Sequence, residues 1–376
     1  MSNWKLVRAA DFIDFNPYEH IEKGAMTKKV GMEQLQPFAR DILSYEIVPF
    51  TGGSKFRNGD TLMARITPCL ENGKTAQVNI LNDGEVGFGS TEFIVLRAIP
   101  DVSDKNFIYY LTISSILREK AIKSMVGSSG RQRVQQGVIN DMEFFAPPLA
   151  EQIKIGRILQ TLDNKIAINT KINNHLEQIA QAIFKEMFIN KEGDRISLLN
   201  FCKFIKGKKP AILIDNYQNR SEPYLTIDSL TGTQKTYAMS KNSLIAHTRD
   251  ILMVMDGASS GTVYFGKRGI VGSTLAKITV SNLSMQEIIY QTLKYFENNI
   301  KDHITGSAIP HVDKQYVLQL SICVPDDYQR YSIYFEIIRN LLIENRDQNI
   351  YLSALRDALL PRLMSGEIDV SQFKTD

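Results

Sequence analysis

The chain has 376 residues, is 43% hydrophobic, and carries 44 Lys and Arg against 41 Asp and Glu, for a net charge of +3. That length suggests two domains with ample apolar content for two cores, and the small charge means that any nucleic-acid binding must come from local clusters. The three cysteines, Cys69, Cys202 and Cys323, form no C-x-x-C pair, which speaks for a reducing compartment and against a zinc site. A polar start and the lack of any long apolar run predict a cytoplasmic protein that does not enter a membrane.

Taken in chain order, the first block, residues 1–148, mixes short strands such as DTLMARI and FIVLR with an amphipathic helix over 105–122. Residues 149–190 follow with apolar positions stepping by three and four: Ile155, Ile158, Leu162, then Ile172, Leu176, Ile179 and Ile183, interrupted by polar Lys165 and Asn169. That period predicts a seam for a partner helix and, at ~1.5 Å per residue, a rod of roughly 60 Å. The second block, 191–326, again mixes strands (DILMVM, GTVYFG, AKITV) with a helix over 285–300. Residues 327–376 repeat the stepping through Ile338, Leu341, Asn345, Gln348, Leu352, Leu355 and Leu359, and Pro361 predicts a kink or an end to that helix.

The blocks repeat one another as the helices do. KLVRAADFIDF meets RISLLNFCKFI at a shift of 190, with Phe15 on Ile205, and Asp60 and Met63 meet Asp250 and Met253 at the same shift. GSTEFIVLR meets GSTLAKITV at 183, GSSGRQRV meets GSAIPHVDK at 179, and Asn169 meets Asn345 at 176. A shift that shrinks steadily while order is kept marks a duplicated unit whose loops have changed length. The expectation is an α+β fold: two similar globular domains separated by two long antiparallel helices forming a coiled coil, with an internal pseudo-twofold repeat. Its seam is predicted from Ile158, Leu162, Asn169, Ile172, Leu176 and Ile179 on one helix and Ile338, Leu341, Asn345, Leu352, Leu355 and Leu359 on the other.

Catalytic signatures are missing: no G-x-x-x-x-G-K-[ST], no H-E-x-x-H, no G-x-S-x-G, and five scattered histidines. Pro147 and Pro148 in APPL are explained by a domain that stops before a helix and not by a methyltransferase loop. Basic and hydroxyl-rich loops remain as candidate DNA contacts. They hold Lys55 and Arg57; Arg131, Gln132 and Arg133; Lys206, Lys208 and Lys209; Ser259, Ser260, Lys267 and Arg268; and His311 and Lys314. Arg and Gln forks match guanine and adenine edges, and lysines around a glycine suit phosphates. Two related but diverged modules predict a target in two unlike halves split by an unread spacer. An enzyme without recognisable motifs and a protein-binding scaffold are the alternatives. Unaided methyl transfer or DNA cleavage would mark the first, and salt-insensitive binding the second.

The order of block, helix, block, helix, the junctions FFAPPLAEQIKIGRILQTLDNKI and SICVPDDYQRYSIYFEII, the GSSGRQRV and GSAIPHVDK elements, and the ending LSALRDALLPRLMSGEIDV resemble the specificity subunit of type I restriction-modification enzymes. Asp326 and Asp327 after Pro325 depart from the pattern of the first junction. The resemblance implies two target-recognition domains on double-stranded DNA, a spacer set by the helices, and no catalysis or bound cofactor in this chain. It also implies two modification subunits that methylate adenine with S-adenosylmethionine, and restriction subunits that use ATP and Mg. Lys154, Arg157, Gln178, Gln181 and Arg356 are the expected partner contacts on the helices.

Overall fold

The computed structural model describes residues 3–232, 236–239, 242–306 and 310–371. The chain divides into two units, residues 1–169 with 347–376, and residues 170–346.

Unit 1 has a four-stranded antiparallel sheet in the order Ile13–Phe15, Phe93–Ala98, Thr61–Ala64, Thr75–Gln77. A second sheet runs Glu46–Pro49, Met26–Val30, Gly87–Gly89, Ser54–Phe56, with one parallel pair in its middle. Lys5–Arg8 and Glu143–Ala146 close a two-stranded ribbon. Three edge-to-face phenylalanines, Phe12, Phe107 and Phe144, sit in its core, joined by Ile155 and Leu159 of the first long helix and Leu360, Leu363 and Met364 of the second.

Unit 2 repeats this plan. Its antiparallel sheet runs Cys202–Lys206, Leu275–Val280, Ile251–Val254, Val263–Phe265. Its second sheet again holds one parallel pair, Ser221–Leu225 with Gly269–Val271, and Arg195–Ser197 pairs with Ser321–Cys323 as the ribbon. The core is built on Phe184, Phe188 and Phe335, each fully buried.

The ladders adjust the sequence alignment. Phe15 lies opposite Leu96 and Phe204 opposite Ile278, so Phe15 corresponds to Phe204 and not to Ile205. The slip arises because the four-residue helix Ala9–Phe12 of unit 1 is a three-residue turn, Leu198–Asn200, in unit 2. Likewise Ala64 faces Phe93 while Val254 faces Leu275, which makes the shift there 182 and not 183. Both expected amphipathic helices are broken in two. Lys105–Ile113 stops at Ser114, whose extended backbone starts Ser115–Lys123, and Gln286–Tyr295 stops at Phe296 before Glu297–Asp302.

The long helices are Leu149–Phe184 and Tyr328–Met364. The second runs through Pro361 instead of ending there, and Leu363 and Met364 beyond it are buried in the core of unit 1. In each unit the two helices run antiparallel, and the same amide pair joins them. Asn169 Nδ2 donates to Asn349 Oδ1 at 2.9 Å and to Gln348 Oε1 at 2.7 Å in unit 1, while Asn345 Nδ2 donates to Asn173 Oδ1 at 2.8 Å in unit 2.

The buried row is therefore displaced by one residue from the expected seam at several positions. Ile172 (41% exposed), Ile179 (50%) and Leu341 (42%) face outward, while Asn173, Ala180 and Leu342 turn inward beside them. Leu162 and Leu355 are half-buried, and the buried neighbours are Asp163 and Arg356. Apolar spacing misled because the inward row holds polar side chains that bond across it; a satisfied polar group tolerates burial. Arg356, expected as an outward partner contact, is only 7% exposed and pairs with Asp163 at 2.8 Å.

Candidate nucleic-acid interface

In unit 1 the loop GSSGRQRV is set on the end of the antiparallel sheet. Arg133 exchanges backbone hydrogen bonds with Val126 and bridges Ile66, while Val134 N donates to Arg65 O at 2.8 Å. Gln132 is fixed by its backbone: its N–H donates to Thr67 Oγ1 and its carbonyl accepts from Thr67 N. Gly127 and Gly130, both at positive φ, let the turn between them project, which leaves Arg131 exposed.

The guanidinium of Arg133 forks onto Glu92, with Nε at 3.0 Å and Nη2 at 2.6 Å, and Arg65 Nε lies 3.7 Å from the same carboxylate. The Arg133 hydrogen bonds hold the Glu92 carboxyl below the ordinary range against the opposing effect of burial. Arg65 also lines a shallow basin of about 300 Å³ together with Tyr18, Gly53, Lys55, Thr91 and Phe93. Lys55 Nζ donates to the Glu19 carbonyl at 2.7 Å and lies 5.9 Å from the ring centre of Tyr18, a residue 87% exposed. Arg57 spends its fork on Glu19 at 2.5 and 2.8 Å, and Arg97 links Glu19 to Asp60, so Arg57 belongs to a network that braces the sheet.

Unit 2 builds the corresponding place from different residues. His311 bridges Asp256 and Thr305 as Arg133 bridges Ile66 and Val126. Asp256 accepts from Lys206 Nζ at 2.7 Å and faces His311 Nδ1 at 2.7 Å; burial works against its charge, yet the two partners keep its carboxyl below the usual range. Ser260 is buried and donates to the carbonyls of Gly257 and Pro310, so it fixes the loop instead of facing a ligand, and Ser259 is half-buried beside it. Gly207 is a necessity: a Cβ there would stand 2.2 Å from Val271 O and 2.3 Å from Gly272 O. That close approach seats the turn and leaves Lys208 and Lys209 exposed beyond it. Arg268 pairs with Glu222 at 2.7 Å, Lys267 is half-buried in the same turn, and Lys314 opens the short helix Lys314–Gln319, exposed. Residues 307–309, the second to fourth of GSAIPHVDK, lie outside the described residues.

The structure thus gathers Lys206 with His311 around Asp256, and Arg133 with Arg65 around Glu92, at the paired loops, while Arg57 and Arg268 pair with acids away from those loops and Ser260 bonds backbone carbonyls. Arg65 and Tyr18 carry no loop signal in the sequence because they lie outside the glycine-rich basic loops, and Glu92 and Asp256 carry none because they are acids. Glu92 lay inside the aligned GSTEFIVLR and Asp256 at the head of DGASSG, so position in the repeat was the available signal. Among the described residues no group of three His, Cys, Asp or Glu side chains is placed to hold a metal ion, and no helix is long and apolar enough to cross a membrane.

The geometry defines a class: a tandem of one α+β module built twice, each copy presenting a loop of mixed charge at the same strand ends. The family model for the type I restriction modification DNA specificity domain matches residues 1–178 and again 190–350, and the chain belongs to that family. It is 32% identical over 200 residues to the MjaVIII specificity subunit of Methanocaldococcus jannaschii, a match that covers 51% of this chain and 47% of that relative. It is 25% identical over 358 residues to the HindI specificity subunit of Haemophilus influenzae, covering 86% and 74% respectively. The S subunit of a type-I system from M. genitalium has the same fold, with a TM-score of 0.57 at 16% identity over 96% of each chain.

Proposed function

We propose that this chain is the DNA-recognising subunit of a type I restriction-modification system and that each unit reads one half of a split, asymmetric target. One observation carries this reading: the same bridge position is held by Arg133, paired with Glu92, in unit 1 and by His311, which shares Asp256 with Lys206, in unit 2. A frame built twice with exchanged reading residues suits two different half-sites. The candidate contacts are Lys55, Arg131, Gln132 and Arg133 in unit 1, and Lys206, Lys208, Lys209, His311 and Lys314 in unit 2. The long helices set the spacer and receive two modification subunits. Methyl transfer from S-adenosylmethionine and ATP-driven cleavage with Mg belong to those and to restriction subunits, and this chain itself binds no cofactor and acts in the cytoplasm.

The test is to express the chain with its modification subunit in a host lacking adenine methylation and to map every methylated adenine. A two-part motif with unlike halves and a fixed gap is expected; a continuous motif overturns the reading. Inserting one helical turn between Lys165 and Leu176, with a matching turn in the opposite helix, should change the gap and leave both halves as they were.

A further inference from the structure

The cations at the two loops are not simply offered to solvent. Arg133 is 45% exposed above a Glu92 that is 24% exposed, and Lys206 and His311 are 48% and 49% exposed above an Asp256 at 20%. In both units the acid lies beneath, and Arg133 in one and Lys206 with the His311 ring in the other reach outward from it. Ion pairs of that exposure stabilise a fold little, ~0–1 kcal/mol. Their effect on an approaching phosphate is larger, because a carboxylate within 3 Å of the Arg133 or Lys206 cation cancels much of its field and occupies its donors. Each unit reaches this arrangement with a different acid from a different place in the chain: Glu92 opens the strand Phe93–Ala98, whereas Asp256 follows the strand Ile251–Val254. The common element is the carboxylate itself.

We propose that Glu92 and Asp256 are resident competitors of DNA phosphate, occupying Arg133 and the Lys206–His311 pair until a duplex offers those side chains a better-placed acceptor. The inference rests on the DNA-reading function proposed above and adds a specificity device to it. Sequence-independent binding draws its free energy from phosphate contacts, so an acid that must be displaced weakens every site. A duplex whose base edges receive the released fork recovers the loss, and one that offers only phosphates does not. Discrimination here comes partly from a built-in penalty on the wrong partner. In unit 1 the competitor is shared: Glu92 hydrogen-bonds Arg133 fully, while Arg65 Nε beside it is buried without a hydrogen bond. Arg65 is then the group to which Glu92 swings when Arg133 is taken by DNA.

The experiment uses the full chain and a labelled duplex of scrambled sequence, with affinity measured across a salt series. Wild-type protein should bind weakly, with log K falling linearly in log salt. Glu92→Gln and Asp256→Asn, which keep side-chain shape, should each tighten binding about tenfold at low salt and steepen the slope by about one, as one more counterion is released. The two together should tighten it about a hundredfold, since separate sites add. Arg133→Ala should abolish the gain of Glu92→Gln. Variants that bind the scrambled duplex no tighter than wild type overturn the competitor role and leave the DNA-reading function standing. A wild-type chain without salt-sensitive duplex binding overturns that function itself. Should a neutral variant melt early, Arg133→Ala alone decides. With Glu92 in place as a competitor it weakens scrambled-duplex binding less than about twofold, and without one about tenfold.

Discussion

Unit 1 and unit 2 solve the same local problems with different side chains. The turn before helix Lys105–Ile113 is held by Gln152, which is 1% exposed, accepts from Asp104 N and donates to the carbonyls of Val102 and Pro147. The corresponding turn before helix Gln286–Tyr295 is held by Tyr328, whose hydroxyl meets Asn282 Nδ2 at 3.1 Å and Ser284 Oγ at 3.3 Å. Where a carboxylate closes a turn only three residues long, the residues coincide: Asp60 accepts from Arg57 N and Asp250 from His247 N, each at 2.7 Å. The cation that neutralises the acid differs again, Arg97 in one and Lys277 in the other. The two units show which positions the fold demands. The short-turn carboxylates Asp60 and Asp250 and the helix amide pairs are kept, while the long-range turn anchors Gln152 and Tyr328 and the counter-ions Arg97 and Lys277 are exchanged.

The largest test of this comparison lies in the buried ion pairs. Asp163 joins Arg356 at 2.8 Å and the Tyr110 hydroxyl at 2.6 Å in unit 1, and Glu287 meets Arg339 at 2.6 Å in unit 2. Asp163→Ala takes the buried carboxylate from Arg356 and the Tyr110 hydroxyl and leaves Arg356 with the exposed Asp357 at 2.8 Å, and it should cost about 3 kcal/mol in denaturant unfolding. Arg339→Ala should cost less, because Glu287 is already poised to take a proton: burial pushes its carboxyl up to about 7 despite Arg339. A carboxyl whose folded pKa exceeds its unfolded value stabilises fully below the unfolded value, and that contribution is lost as pH rises through the folded one. The protection of helix Gln286–Tyr295 against hydrogen exchange, taken relative to the intrinsic rate at each pH, should therefore fall between about pH 4.5 and 7, and Glu287→Gln should remove that fall. Protection in the wild type that does not change with pH over that range would contradict the assignment.

A smaller contrast separates the two turn anchors. Gln152→Ala leaves a buried N–H and two carbonyls unbonded and should cost roughly 2–3 kcal/mol, whereas Tyr328→Phe removes one part-exposed hydroxyl and should cost about 1 kcal/mol or less. Equal losses, read from urea midpoints, would contradict this contrast between the two anchors. Smallest in stability are Arg131→Ala and Lys208→Ala, expected to leave melting unchanged and to lower the salt slope of DNA binding by about one each.

Much of the repeat was legible, because strand periodicity and glycine turns survive divergence: Met63 and Met253 do occupy matching rungs, opposite Ile94 and Ala276. The exact seam was not. Apolar spacing favours Ile172 and Ile179, whereas the inward positions belong to Asn173 and Ala180, and hydrophobicity is blind to a polar residue that finds its partner on another helix. The candidate interface was half legible for a related reason. Basic loops advertise themselves in sequence, but the carboxylates that restrain them are revealed only when distant segments such as Glu92 and Arg133 meet.

The division of the chain into units has a consequence for the order in which they are completed. Unit 2 is one uninterrupted stretch, from Thr170 to Arg346, whereas unit 1 waits for residues beyond Asp347 to deliver Leu360, Leu363 and Met364 to its core. During synthesis the half begun first is finished last, and its apolar interior stays open while the later half closes. Clipping the chain just before Leu360 would then harm the unit built mainly from the opposite end of the sequence and spare the unit that directly precedes the cut.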